Sequence, residues 1–256
     1  MTPRKTPSVW LSLILLALPV APARAELADT IERIKPALVV VGTFSQIRSP
    51  PFVMRGTGFA VGDGRLIATN SHVIPETLGA GAGQERLMIL ARQGAETRPL
   101  AVELVARDIP HDLALLRIAG PALPALMLGS SDAVREGQAV AFSGFPIGSA
   151  LGFSPVTHRG IVSSITPISL PSGNASQLKD KSIRSLRAGA FPIFQLDATA
   201  YPGNSGGPLF DPVSGQVLGI LNMVFIKSTR ESALEKPSGI SYAVPVRHLV
   251  ELLERK

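Results

Sequence analysis

Apolar residues along this chain follow two kinds of spacing. Over residues 26–35, Leu27, Ile31 and Ile34 recur at helical intervals. Pro36 ends that run, because proline brings no N–H to continue a helix. From Leu38-Val39-Val40-Val41 onward the period shortens to that of strands. Phe59-Ala60-Val61 and Leu66-Ile67-Ala68-Thr69 flank Gly62-Asp63-Gly64, a turn sequence suited to a β-hairpin. Further strands are expected at residues 87–91, 101–106, 113–118, 139–143, 160–165, 191–196 and 216–222. Helical spacing returns at Pro245, which opens a helix carrying Val246, Leu249, Val250 and Leu253 on one side. Many short strands punctuated by Gly and Pro indicate an all-β protein of antiparallel barrels rather than βαβ units. The Pro-containing connector between Leu123 and Leu128 marks the seam. It divides the chain into an N-terminal unit, 26–125, and a C-terminal unit, 126–256. Polar stretches at residues 169–190 and 227–238 read as long loops. The Gly-Ala run at 79–83 fits no phosphate-binding spacing.

The first 25 residues read differently. Arg4 and Lys5 precede an apolar run at residues 9–21, and Ala23-Arg24-Ala25 then offers small residues at both ends of a cleavage site. That is the layout of a secretory signal peptide, and the run is short for a membrane span. The expectation is export, to a periplasm or beyond the cell, without stable membrane insertion once the leader is cut. Removing Arg4, Lys5 and Arg24 with it lowers the formal charge from +6 to +3. With no dense basic stripe interleaved with aromatics, nucleic-acid binding is not favoured. The sequence has no cysteine, so a thiol nucleophile, Cys-ligated zinc and disulfides are excluded. Its four histidines, His72, His111, His158 and His248, have no metal-binding spacing, and neither metal nor cofactor is expected.

Three segments carry chemistry. Gly203-Asn204-Ser205-Gly206-Gly207-Pro208 places a serine among glycines. Glycines let the backbone turn sharply and approach a substrate without a Cβ in the way. A serine hydroxyl is a poor nucleophile unless a base activates it and N–H groups receive the developing oxyanion. His72, in Thr69-Asn70-Ser71-His72-Val73, follows an apolar strand and is a candidate base. Asp112 opens the strongly apolar Leu113-Ala114-Leu115-Leu116. A carboxylate so placed tends toward burial and needs a partner, which a histidine N–H supplies. Asp108, in the loop ahead of that strand, is its nearest competitor. The order His72, Asp112, Ser205 is that of chymotrypsin-type enzymes.

These strings resemble those of the trypsin-like serine peptidases, and most closely the bacterial HtrA/Deg branch. Gly56-Thr57-Gly58-Phe59, Leu128-Gly129-Ser130-Ser131, Gly144-Phe145-Pro146-Ile147-Gly148, the Thr157 to Ser163 strand and Tyr242-Ala243-Val244-Pro245 extend the resemblance over nearly all of residues 27–250. The resemblance implies two six-stranded antiparallel β-barrels, followed by a C-terminal helix, with the active site between them. His72 and Asp112 would come from the first barrel and Ser205 from the second. Ser205 would attack the scissile carbonyl, His72 would relay the proton, Asp112 would orient the imidazole, and the N–H groups of Gly203 and Ser205 would form the oxyanion hole. Thr199, Ala200, Asn222, Met223, Val224 and Phe225 would shape the primary specificity pocket. Thr199 stands where trypsin places an acid, so cleavage after Arg or Lys is disfavoured. Asn204 replaces the Asp that pairs with a new N-terminus in zymogen activation. HtrA proteins usually carry a C-terminal PDZ domain, and this sequence ends about where one would begin.

Two other readings bear weighing. Gly203-Asn204-Ser205-Gly206-Gly207 also satisfies the nucleophile elbow of esterases, with Asp211 and His248 following in order. That elbow needs a helix after the serine, whereas Gly-Gly-Pro and a further strand follow here. A catalytically silent protease fold could instead bind unfolded chains as a chaperone. Polypeptides are the expected partners in both cases, and an oligomer is left open.

Overall fold

The structure is a computed structural model that describes residues 27–76, 85–94, 96–146, 153–167, 191–222 and 240–256. The leader, the loops expected at 79–83, 169–190 and 227–238, and Met223, Val224 and Phe225 lie outside these residues.

Helix α1, Leu27–Ile34, ends in a 3-10 turn, Lys35–Ala37, that contains Pro36. Strands β1 (Leu38–Phe44), β2 (Phe52–Val61), β3 (Leu66–Asn70), β4 (Arg86–Gln93), β5 (Glu96–Asp108) and β6 (Leu113–Ile118) close a barrel in the order β1-β2-β3-β6-β5-β4. Strands β7 (Ala139–Gly144), β8 (Val156–Pro167), β9 (Pro192–Asp197), β10 (Pro208–Phe210), β11 (Val217–Asn222) and β12 (Ile240–Pro245) close a second, in the order β10-β11-β12-β9-β8-β7. All neighbouring strands run antiparallel. Helix α2, Arg247–Glu254, follows β12. It begins two residues later than the sequence suggests, because Pro245 is still paired with Gly219 in the second barrel.

The uniformly apolar start of β1 has a packing reason. Val39 and Val41 point into the first barrel with Ala60, Ile67, Ile89 and Leu116. Leu38 and Val40 point outward into a second cluster with Phe59, Phe210, Val217, Val244 and Leu249. Successive strand residues face opposite sides, so a strand walled on both faces must be apolar throughout. A third cluster, including Phe142, Phe194, Leu196 and Leu221, fills the second barrel. The core is thus three layers, and the middle one joins the barrels.

The connector crosses between Leu126 and Met127. Leu123 N and Leu126 N donate to Gly64 O and Ala60 O of the first barrel, both at 2.9 Å. Beyond them Val217 N of β11 donates to Met127 O, and Gly129 N donates to Val217 O, both at 2.8 Å. Each terminal helix docks across the seam. On α1, Thr30 Oγ1 and Arg33 Nη2 each donate to Val213 O at 3.2 Å, ahead of β11. On the other side, Arg255 Nη2, just after α2, lies 2.8 Å from Asp108 Oδ2 at the end of β5.

Candidate active site

Strand β3 delivers its last residue, Asn70, to the seam, and a 3-10 turn, Ser71–Val73, then carries His72. Strand β6 lies beside β3, with Leu113 opposite Asn70, so the residue before β6 arrives next to His72. That residue is Asp112. Its φ of +54° is a left-handed conformation, which Asp and Asn adopt more readily than other side-chain-bearing residues. Asp112 O accepts from Ser71 N and from Asn70 Nδ2, each at 3.0 Å, which fixes one turn against the other.

The carboxylate grips His72 twice. His72 N donates to Asp112 Oδ1 at 2.8 Å, and His72 Nδ1 is 2.6 Å from Asp112 Oδ2. A third bond comes from the other barrel: Asn222 Nδ2 donates to Asp112 Oδ2 at 2.8 Å. With both oxygens engaged, Nδ1 of His72 carries a proton toward the acid and Nε2 is left as the basic atom.

Ser205 sits in a turn that begins at Tyr201 and feeds β10. Asn204 N donates to Tyr201 O at 3.0 Å, Gly207 N to Asn204 O at 2.9 Å, and Gly206 N to Leu221 O at 2.9 Å. Gly203 and Gly206 have φ of +105° and +86°. A Cβ on Gly206 would overlap Thr57 O and Thr69 Oγ1, and one on Gly203 would overlap Phe145 O. Two of the glycines around the serine are therefore required by conformation and by space together. Gly206 also lies against Asn70 N, so the serine turn abuts the end of β3 that leads to His72. Among the described residues, neither Gly203 N–H nor Ser205 N–H has a backbone acceptor.

Thr57, buried in β2, joins the parts. Its N–H donates to Ser205 O at 2.8 Å, and its Oγ1 donates to Gly203 O at 2.7 Å and accepts from Phe145 N at 3.0 Å. Its carbonyl accepts from Thr69 Oγ1 at 2.7 Å. In the sequence the Gly56-Thr57-Gly58 string carries the family resemblance without a role for the threonine. The available signal is a polar residue between two glycines inside a strand, which marks close backbone approach. Asn204 is wholly buried, and both its side-chain polar atoms lack a partner among the described residues.

Of the expected pocket residues, Ala200 is buried and its N–H donates to Ser241 Oγ at 2.9 Å, while Thr199 is half-buried beside it. Asn222, expected in the pocket wall, donates its side-chain amide to Asp112. The esterase alternative has no such geometry. Asp211 binds the turn that follows it through Val213 N and Ser214 N, and His248 stacks on His111. Asp108, the competitor to Asp112, is bonded to His111 and Arg255. Among the described residues no cluster of acids and histidines is arranged to hold a metal ion.

The sequence pattern of the trypsin-like peptidase domain matches residues 56–220. This chain belongs to that family. The trypsin-like peptidase described here is 32% identical over 191 residues to a probable periplasmic serine endoprotease, DegP-like, of Halomonas elongata, and 35% identical over 191 residues to one of Pseudomonas fluorescens. Each match covers 75% of this chain and 32% of the relative, so the chain spans about a third of the length of these curated relatives. Its fold resembles that of the HtrA-type protease AlgW with tripeptide, at a TM-score of 0.63 and 26% identity over 89% of this chain and 62% of that one. AlgW with decapeptide gives a TM-score of 0.64 over 90% of this chain and 67% of that one, at 24% identity.

Proposed function

We propose that this trypsin-like peptidase is an exported serine endopeptidase in which Ser205, His72 and Asp112 act together. One observation carries the reading. Asp112 holds His72 by two hydrogen bonds on the first barrel, while Thr57 of the same barrel holds the glycine-framed Ser205 turn of the second. That bonded framework, which spans the seam, supports Ser205 as the nucleophile and His72 as its base.

In the first half-reaction Ser205 Oγ attacks the scissile carbonyl carbon and His72 Nε2 takes the hydroxyl proton. The oxygen of the tetrahedral intermediate is received by Gly203 N–H and Ser205 N–H. Collapse breaks the C–N bond, and His72 returns its proton to the leaving amine, leaving an acyl-enzyme on Ser205. Water then repeats the sequence, with His72 again as base, and releases the acid. Asp112 does not take the proton; it fixes the tautomer and stabilises the imidazolium.

The substrates are polypeptides, chiefly unfolded exported chains, and the site of action is the periplasm. The periplasmic naming of the relatives and the peptides in the AlgW structures support this. Ala200 and Thr199 offer no acid to a basic side chain, so a small or medium uncharged residue precedes the cleaved bond. Fluorescent phosphonate labelling of the wild type and Ser205→Ala tests the reading. Label that requires Ser205, with cleavage of an unfolded substrate after small aliphatic residues, is expected. A folded protein that labels equally without Ser205 would overturn it.

A further inference from the structure

Behind Asp112 the same turn carries a second His–Asp pair that the reaction does not use. Asp108, 6% exposed, accepts from His111 N at 3.2 Å and lies 3.0 Å from His111 Nδ1 and 2.8 Å from Arg255 Nη2. Burial opposes its charge, but the bonds from His111 and Arg255 outweigh burial and hold the carboxyl at about 2. Over the His111 ring lies that of His248 from α2, stacked at 3.8 Å and 13°. Phe191, just ahead of β9, meets both rings edge-on, at 4.6 and 5.4 Å. Three separate pieces of chain therefore close on one aromatic sandwich: the 108–112 turn, the approach to β9, and α2.

The sandwich tolerates one proton better than two. His248 is 7% exposed, its Nδ1 is 3.4 Å from Glu251 Oε2, and its Nε2 is buried without a partner among the described residues. A proton added at Nε2 would have no acceptor among the described residues, and an unmet buried donor is costly. It would also set two imidazolium rings at van der Waals distance, where like charges repel strongly. The surrounding charges do not offset this. Arg255 is matched by Asp108 and Arg247 by Asp132, while Glu251, the acid facing His248, is half exposed. Burial, then the charges of His111 and Arg247, push His248 below its ordinary value of 6.5.

The path from stack to site is short. Asp112 N donates to Ile109 O at 3.2 Å, and Asp112 O binds Ser71 N and Asn70 Nδ2 at 3.0 Å each. A turn that shifts moves the carboxylate relative to the segment presenting His72.

We propose that His111 and His248 are positioning residues for Asp112: their stack ties α2 to the 108–112 turn while at least one imidazole is neutral, and a second proton releases it. The inference rests on the catalytic reading of Asp112 and His72 and adds an acid-sensitive support to it. In acid the protease loses its geometry as well as its base.

The test is the acid limb of kcat for wild type and His248→Phe, which keeps an aromatic ring and removes the proton. Wild type should lose about 100-fold per pH unit at the foot of the limb, as two coupled protons require, and the variant about 10-fold. Equal slopes would overturn the proposal. The second arm uses NMR on the Ser205→Ala protein and needs no activity. The proton shared by His72 Nδ1 and Asp112 should broaden as His248 takes its proton, and His111→Phe should move the His248 titration to higher pH. An undisturbed His72 signal through the His248 titration would overturn the proposal even if a cluster variant failed to fold. If Ser205 does not label while the NMR coupling is present, the protease reading fails and the support stands.

Discussion

Asn222 donates its side-chain amide to Asp112 Oδ2 across the seam, at 2.8 Å, so the second barrel steadies the acid that the first presents. Hydrogen bonds to a charged group are worth about 1.5–3 kcal/mol. Asn222→Ala should lower kcat about 10- to 100-fold and leave KM within about threefold, because the carboxylate matters most when His72 is charged. Steady-state kinetics on an unfolded substrate measures it. A change confined to KM would place Asn222 in the substrate pocket after all.

Asp112 carries two burdens, a carboxylate for His72 and a left-handed backbone, and two substitutions separate them. Asn accepts φ of +54° nearly as well as Asp, so Asp112→Asn should keep the thermal midpoint close to wild type while turnover falls about 10⁴-fold. Asp112→Ala should lose the same activity and unfold earlier, because alanine adopts that conformation at a cost of about 1 kcal/mol or more. Thermal unfolding of both variants checks the difference.

Thr57 Oγ1 bonds both Gly203 O and Phe145 N. Thr57→Val keeps the shape but leaves both groups without that partner, at about 1–3 kcal/mol for each unmet group. Turnover and phosphonate labelling should both drop at least about 10-fold, since the Gly203 backbone belongs to the proposed oxyanion hole. Thr57→Ser, which keeps the hydroxyl, should restore most of the rate. Failure of serine to rescue would assign the effect to lost packing.

Stability should decline with acid in two stages. His158 is pushed below 6.5 by burial, stacked at 4.9 Å on Phe142, and His248 is lowered likewise. Below 6.5 the unfolded chain takes up these protons first, so stability falls with pH until the folded protein protonates too. Asp108, at about 2 against 3.8 unfolded, adds a loss that begins near 3.8 and is complete near 2. Melting temperature against pH should flatten in the upper window for His158→Phe and in the lower window for Asp108→Asn. An unchanged curve in either variant assigns that stage to other groups.

Much of this was readable where one face of a strand meets one environment. The hairpin of β2 and β3 is plain in the text because its residues are buried and its turn is glycine-rich. The first half of β5, with Glu96, Thr97, Arg98 and Pro99, is not, because it is exposed and held by pairing with β4 rather than by apolar pattern. Strand β12 was missed as a strand: Ser241 lies buried among apolar neighbours because its hydroxyl serves Ala200 N and Ala198 O. At the site, the serine, histidine and acid follow from motif and order. The bond from Asn222 does not, although Asn222 shows the mark that singled out Asp112, a polar residue bordering a strongly apolar strand. Thr57 was hidden because its partners, Ser205, Gly203 and Phe145, are distant in sequence.

The crossed helices bear on the order in which the parts of the site come together. Val213, the residue that α1 clasps, follows Thr30 by 183 positions. Asp108 likewise waits 147 positions for Arg255. The strands of the first barrel end at Ile118, so His72 and Asp112 stand in the chain well ahead of the Ser205 turn. The proposed site is therefore divided along the chain: base and acid are encoded early, nucleophile and Asn222 late, and only the finished seam makes them neighbours.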